Sequence, residues 1–317
     1  MLPKKLHRPP TNTVYNVDGS SFGLDDKLVD ALQASILKKL EAGKLVIPKL
    51  PQVAMRVMQL SESPDAGMDE ITKVVLTDPA LAARILSIAN SAAYAGTVPV
   101  DTVQQALARL GMKTVSNLVF TESIQTKVFT AKSHKAALER SWKLSVGAAV
   151  ACDTLALATG SGHEAAFLLG LLHDTGVPTL LNAIADYARE NQGRPLDDET
   201  AEIVVTQMHE QVGAHVLKQW GMPEPIVTAA GQHHLYRAGH AVPPATRLVY
   251  AANRICQHLG VGGDGGEVNF TTEHVFLDLG LNDRDRMTEI LERVQIGMDS
   301  LLSGFGGGES GAAKRAA

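Results

Sequence analysis

His173 and Asp174 stand side by side at the end of the apolar run 165–172 and are followed by Thr175 and Gly176. Imidazole and carboxylate both lose hydration at the buried end of a helix, so the pair is costly unless a hydrogen-bond network or a metal ion receives it. The chemistry it invites is that of a metal hydrolase, in which a bound ion activates water. Other chemical motifs are weaker. His209-Glu210 is followed by Gly213 where a zinc-protease helix would carry its second histidine, and no nucleophile elbow or P-loop occurs. The glycine-rich stretch 260–266 has neither a strand before it nor a Lys-Ser/Thr after it, so it reads as a flexible loop. His7, His134, His163, His240, His258 and His274 stand alone in polar contexts and read as surface residues.

The elements that must position His173 and Asp174 are helices. Of 317 residues 45% are hydrophobic but only 4% aromatic, and the apolar mass is mainly Ala, Leu and Val, which suits packed helices. No useful two-residue alternation occurs, so the predicted fold class is all-α with two packed multi-helix subdomains. Residues 1–24 read as a disordered tail. Residues 25–45 carry an amphipathic helix with Leu28, Leu32, Ile36 and Leu40 on one face, expected to dock on the main body in preference to a partner. Residues 46–130 form a first helical array. It enters through Pro48 and Pro51, turns at 63–65, and starts helices at Asp69, at Asp78-Pro79 and at the Thr102/Gln105 capping box, with Gly111 as a stop. Residues 131–302 form the second array, and 303–317 a flexible glycine-rich tail.

A net charge of −5 supplies no field for nucleic acid or an anionic membrane, and the cluster Lys4-Lys5-Leu6-His7-Arg8 reads as a solvated tail. Cys152 and Cys256 lack partners at metal-ligand spacing and read as small core residues. No run of about 18 apolar residues and no signal-like N-terminus is found, so a cytoplasmic location is expected.

Several spaced motifs together resemble the HDOD domain. They are Leu50-Pro51-Gln52-Val53-Ala54, the stretch 78–86 with Ala89-Asn90-Ser91, 106–111, 167–176, 209–214, and Trp220-Gly221-Met222-Pro223. The resemblance spans roughly residues 40–300. It implies an all-helical bacterial signalling module similar to HD-type phosphohydrolases, often without catalytic activity, with the second subdomain HD-like. It also implies a metal-ligand set, of which His173, Asp174, His209, His233 and His234 are the candidate survivors here. Two members are missing, since Leu144 stands where the early histidine would be and Asn253 where the late aspartate would be. The stretch from His233 to Arg237 runs on without Gly-Tyr-Pro, which argues against a cyclic-di-GMP hydrolase.

Three readings follow. The preferred one is a non-catalytic module acting through a protein partner, with no cofactor and His173 and Asp174 in a buried hydrogen-bond network, although a weakly bound divalent metal is compatible with it. The second is a phosphohydrolase with a reduced site. The third is a sensor that binds a small nucleotide without cleaving it, in a cleft between the two arrays.

Overall fold

The computed structural model describes residues 26–62, 67–94, 96–131, 133–161, 165–191, 196–263 and 265–305. The expected turn at 63–65, the N-terminal tail, His163 and most of the C-terminal tail lie outside them. Among the described residues the structure is helical without strands, as expected from the composition.

Helix α1 (Asp26–Glu41) docks on the main body. It buries Val29, Leu32, Ile36 and Leu40 against Leu180, Ile184, Val204 and Val212, while Leu28 is only half-buried. The buried face thus begins one residue later than a strict four-residue repeat would place it, because a helix turns every 3.6 residues. Burying each such side chain is worth about 1.5–3 kcal/mol before chain entropy is subtracted.

The next helices are α2 (Gln52–Glu62), α3 (Met68–Leu76), α4 (Pro79–Ala89) and α5 (Val103–Lys127), which pack on one another. Asp78 caps α4 by accepting from the Ala80 and Leu81 amides, with Pro79 at the first helical position. Thr102 and Gln105 form the expected reciprocal box at α5. Asp69 is not a cap. Gly67 takes that position in an extended conformation, and the Glu70 carboxylate reaches back to its amide at 2.7 Å, leaving Asp69 inside the first turn. Gly111, at φ 79°, kinks α5 where a helix stop is expected.

The second set comprises α6 (Lys135–Thr159), α7 (Ala166–Leu172), α8 (Gly176–Glu190), α9 (Asp198–Gln219), α10 (Glu224–Gln232), α11 (Pro244–His258), the short α12 (His274–Asp278) and α13 (Arg284–Phe305). The last helix runs past the predicted end at residue 302. Phe305 is buried, and its carbonyl accepts from Arg84, which also pairs with the buried Glu122 at 2.6 Å. Through α13 the larger apolar core continues from α2–α5 into α6, α7, α10 and α11, whereas α1, α8 and α9 share a second core. Contrary to the hydropathy expectation, the stretch 166–190 is long and apolar enough to cross a membrane. Its apolar window is 89% buried inside the fold, as befits a core segment.

Two glycines bring the helices close enough to build a site. A Cβ on Gly170 would lie 2.2 Å from the Ala148 carbonyl oxygen of α6, and one on Gly176 would lie 2.1 Å from the His209 carbonyl oxygen of α9. The backbones of α7 and α8 therefore pass almost in contact with their neighbours, on either side of His173-Asp174. Gly176→Ala is expected to destabilise the protein by about 3 kcal/mol, since backbone atoms cannot swing aside as a side chain would. Gly213→Ala, whose nearest atom would be 3.2 Å away, should cost less. Urea denaturation of both variants checks this, and an unchanged midpoint for Gly176→Ala would contradict the packing argument.

Candidate metal centre

The structure brings all five sequence candidates together. His173 caps the end of α7, Asp174 follows it in the turn to α8, His209 faces them from α9, and His233 and His234 close the end of α10. Ligand atoms of His209, His233 and His234 lie within 4.8 Å of one another, as do those of His173, Asp174 and His233.

Backbone carbonyls fix the state of three rings. His173 Nδ1 donates to the Gly170 carbonyl at 2.7 Å, His209 Nδ1 to Val205 at 2.9 Å, and His233 Nδ1 to Ala230 at 3.0 Å. A carbonyl can only accept, so in each neutral ring the proton sits on Nδ1 and Nε2 presents a bare lone pair. These bare nitrogens point at one another. His209 Nε2 is 3.2 Å from His233 Nε2 and 3.1 Å from His234 Nε2, and His173 Nε2 is buried without a hydrogen-bond partner. Asp174 adds further acceptors, at 3.4 Å from His173 Nε2 and 3.5 Å from His233 Nε2. One Nε2–H from His234 can satisfy one neighbour, which leaves the cluster rich in acceptors and short of donors. A divalent cation is the kind of group that resolves such an excess, and imidazoles anchored through Nδ1 to backbone carbonyls are oriented as metal ligands ordinarily are. The donor set fits.

The electrostatics agree. Burial pushes the Asp174 carboxyl up, but the surrounding imidazoles His173, His209, His233 and His234 outweigh it and hold the group at about 2, so it is ionised at neutral pH. Burial pulls His233 well below the ordinary histidine range and His234 down to about 4, helped by the neighbouring rings. Glu210 accepts from the His234 amide at 3.1 Å and lies on the Nδ1 side of His233, at 3.9 Å. Burial raises its pKa.

A cavity of about 530 Å³ opens from the cluster, lined in part by Leu144, Asn253 and Gly262. Both positions where the resemblance implies a lost ligand thus face the same space. Leu144 is covered by backbone, as a Cβ on Gly262 would lie 2.9 Å from its own Cβ, and Asn253 Oδ1 is buried without a partner. The cavity lies among α6, α8, α9, α10 and α11, within the second set of helices and not in a cleft between the two arrays.

His134 is a second correction. It is not a surface histidine, since its side chain is 5% exposed and Nδ1 lies 2.6 Å from Asp198 Oδ1. A left-handed backbone (φ 54°) ahead of α6 turns the ring towards α9 and the cavity. Its polar sequence neighbours gave no sign of this. Glu210 and Asp198 likewise gave no signal beyond their charge.

The family model for the HDOD domain matches residues 47–236, and the chain belongs to that family. A solved structure of a provisionally assigned metal-dependent phosphohydrolase from Shewanella amazonensis SB2B is similar, with a TM-score of 0.68 and 20% identity over 88% of this chain and 99% of that one. An HDOD domain protein of unknown function from Geobacter sulfurreducens superposes with a TM-score of 0.65 at 20% identity, covering 87% and 99% of the two chains. A provisionally assigned signal transduction protein from Marinobacter aquaeolei VT8 does so with 0.63 at 25% identity, covering 89% and 66%. An uncharacterized Treponema pallidum (strain Nichols) protein is 24% identical over 72% of this chain, which spans 45% of that relative's length.

In cation-free protein the depressed histidines make stability fall with acidification. Unfolded His233 and His234 take up protons below about 6.5, while the folded His234 ring resists until pH is near 4 and burial holds the folded His233 ring well below the ordinary range, so the unfolded state gains protons first. For His233 the slope should approach ~1.4 kcal/mol per pH unit below 6, with no contribution above 7. Urea midpoints of chelator-treated protein between pH 7 and 5 measure it. His233→Gln should flatten the dependence, and a parent already flat would show that the rings are not held neutral.

Proposed function

We propose that this chain is a regulatory domain of a bacterial signalling pathway that holds one divalent cation without hydrolysing a substrate and acts through a protein partner in the cytoplasm. The observation that carries the reading is the convergence of the bare Nε2 nitrogens of His173, His209 and His233 on Asp174, at 3.4, 3.8 and 3.5 Å, beside Leu144 and Asn253. The donors favour a cation. The self-satisfied hydrogen-bond network preferred from sequence lacks enough protons, so the geometry supports the weakly favoured alternative.

Residues His173, Asp174, His209, His233 and His234 would hold the ion. Four nitrogens and one carboxylate suit zinc or a neighbouring transition metal better than magnesium or calcium. In a hydrolase such an ion supplies Lewis acidity and an activated water at neutral pH. Here Leu144 brings an aliphatic side chain to that space, and Asn253 brings no charge. These replacements support binding without turnover. Membership of the HDOD family, and the provisional signalling assignment of the Marinobacter protein, support a regulatory role. The acidic net charge argues against nucleic acid as the partner.

The test is metal analysis by plasma mass spectrometry on protein purified without a histidine tag, with Asp174→Asn and His233→Gln alongside, followed by assays on phosphomonoesters and cyclic dinucleotides. A transition metal near one per chain in the parent, lost in both variants, with no turnover, is the expected result. A well-folded, metal-free parent would restore the hydrogen-bonded network. Metal-dependent turnover abolished by Asp174→Asn would make the protein a phosphohydrolase with a reduced site.

A further inference from the structure

The cavity does not end at the histidines. It follows α9 back from His209 to Asp198, about 16 Å of helix, with α6 opposite. The two ends differ in chemistry. At the outer end the polar groups are already paired across the mouth, His134 with Asp198 and Arg140 with Glu202 at 4.0 Å. Between the ends the walls are mainly aliphatic, formed by Ala137 and Leu144 of α6, Val177 and Leu181 of α8, and Ala201 and Val205 of α9, with the hydroxyls of Ser141 and Thr206 among them.

At the inner end charge is left over once a cation is present. Imidazoles ligate as neutral groups, and Asp174 is the one carboxylate among the five candidate ligands. Glu210 does not line the cavity, being turned to the far side of His233 and engaged by the His234 amide. A dication held there keeps one uncompensated positive charge facing an aliphatic slot, an arrangement that an anion relieves. The slot does not resemble a nucleotide site. Among the described residues its lining holds no Phe, Tyr or Trp on which a base could stack, and the arginine among them, Arg140, sits at the outer end opposite Glu202.

Resting on the cation reading above, we infer that the cavity binds an amphipathic monoanion of the alkyl carboxylate class. Its head lies at the cation end and its chain lies between α6, α8 and α9. A volume of about 530 Å³ accommodates such a molecule whole.

The probe is decanoate, titrated calorimetrically into full-length protein whose cation content has first been measured, with acetate, decanol and adenosine monophosphate as comparisons. Decanoate should bind at least about tenfold more tightly than acetate, which lacks the chain, and than decanol, which lacks the charge. Asn253→Asp supplies the missing negative charge with almost no change of shape, and should weaken decanoate about tenfold while the cation stays bound. Ala137→Phe fills the slot from α6, at the end away from the cluster, and should weaken decanoate without changing cation content. Loaded protein that gives flat titrations, or that binds acetate as well as decanoate, overturns the inference and leaves the cation reading intact. Adenosine monophosphate binding that decanoate cannot displace also overturns it, in favour of a nucleotide site. Protein that holds no cation overturns both.

Discussion

The structure around the cluster depends on one constraint: buried imidazole nitrogens stripped of their protons must meet at the end of a cavity. Neutral histidines repel no one at a distance, but the bare Nε2 atoms of His209 and His233, 3.2 Å apart, need a proton or a cation between them. The fold achieves the approach by spending its helix ends there. His173 and His233 stand just past the C-termini of α7 and α10, where they donate Nδ1 to carbonyls three residues back, and His209 does the same four residues back within α9. Each ring is therefore aimed by its own helix. Gly170 and Gly176 then let those helices approach to backbone contact.

The same constraint explains why α8 and α9 need α1. Of the two apolar cores, the smaller carries the outer faces of α8 and α9, and it is completed by Val29, Leu32, Ile36 and Leu40. Without α1, the faces of Leu180, Ile184, Val204 and Val212 would be open to water, while adjoining faces of the same helices line the cavity. The amphipathic segment at 26–41 thus stabilises the pair that positions Asp174 and His209. The tie from Trp220 Nε1 to the Pro48 carbonyl at 2.8 Å fixes the chain that follows α1 against the end of α9.

Much of this was legible in the sequence where the signal is local. Asp78-Pro79, Thr102 with Gln105, and Gly111 act within one helical turn, so their roles follow from residue type and spacing. The five candidate ligands came from ordered motifs, and the folded chain brings them together. What failed was decided by side-chain reach or by distant neighbours. Glu70 displaced Asp69 as the residue serving the N-terminus of α3, because a longer side chain at the third position reaches the Gly67 amide. Arg84 and the core hold α13 as far as Phe305, beyond the point where composition turns glycine-rich. His134 is drawn inward by a left-handed turn and by Asp198, sixty-four positions away. The tautomers of His173, His209 and His233 were not legible at all, because the carbonyls that set them become partners only once the helices exist.

Those tautomers are what shift the balance from a self-contained polar network towards a cation. A buried histidine–aspartate cluster can satisfy itself only if each contact has a proton to share, and here three Nε2 protons are forfeited to the backbone. Leu144 and Asn253, standing where the resemblance implies two further ligands, do not restore any of them, since leucine offers no donor and the buried Asn253 Oδ1 is itself an unpaired acceptor. On the proposed reading, these two residues act on what a bound ion could do and not on whether the cluster needs one, so that retention and catalysis separate at this site. The histidines that would hold an ion are pinned by backbone geometry that the whole helical frame enforces, whereas the positions that would arm it lie on the wall of a cavity, where a leucine and an asparagine fit without disturbing the frame.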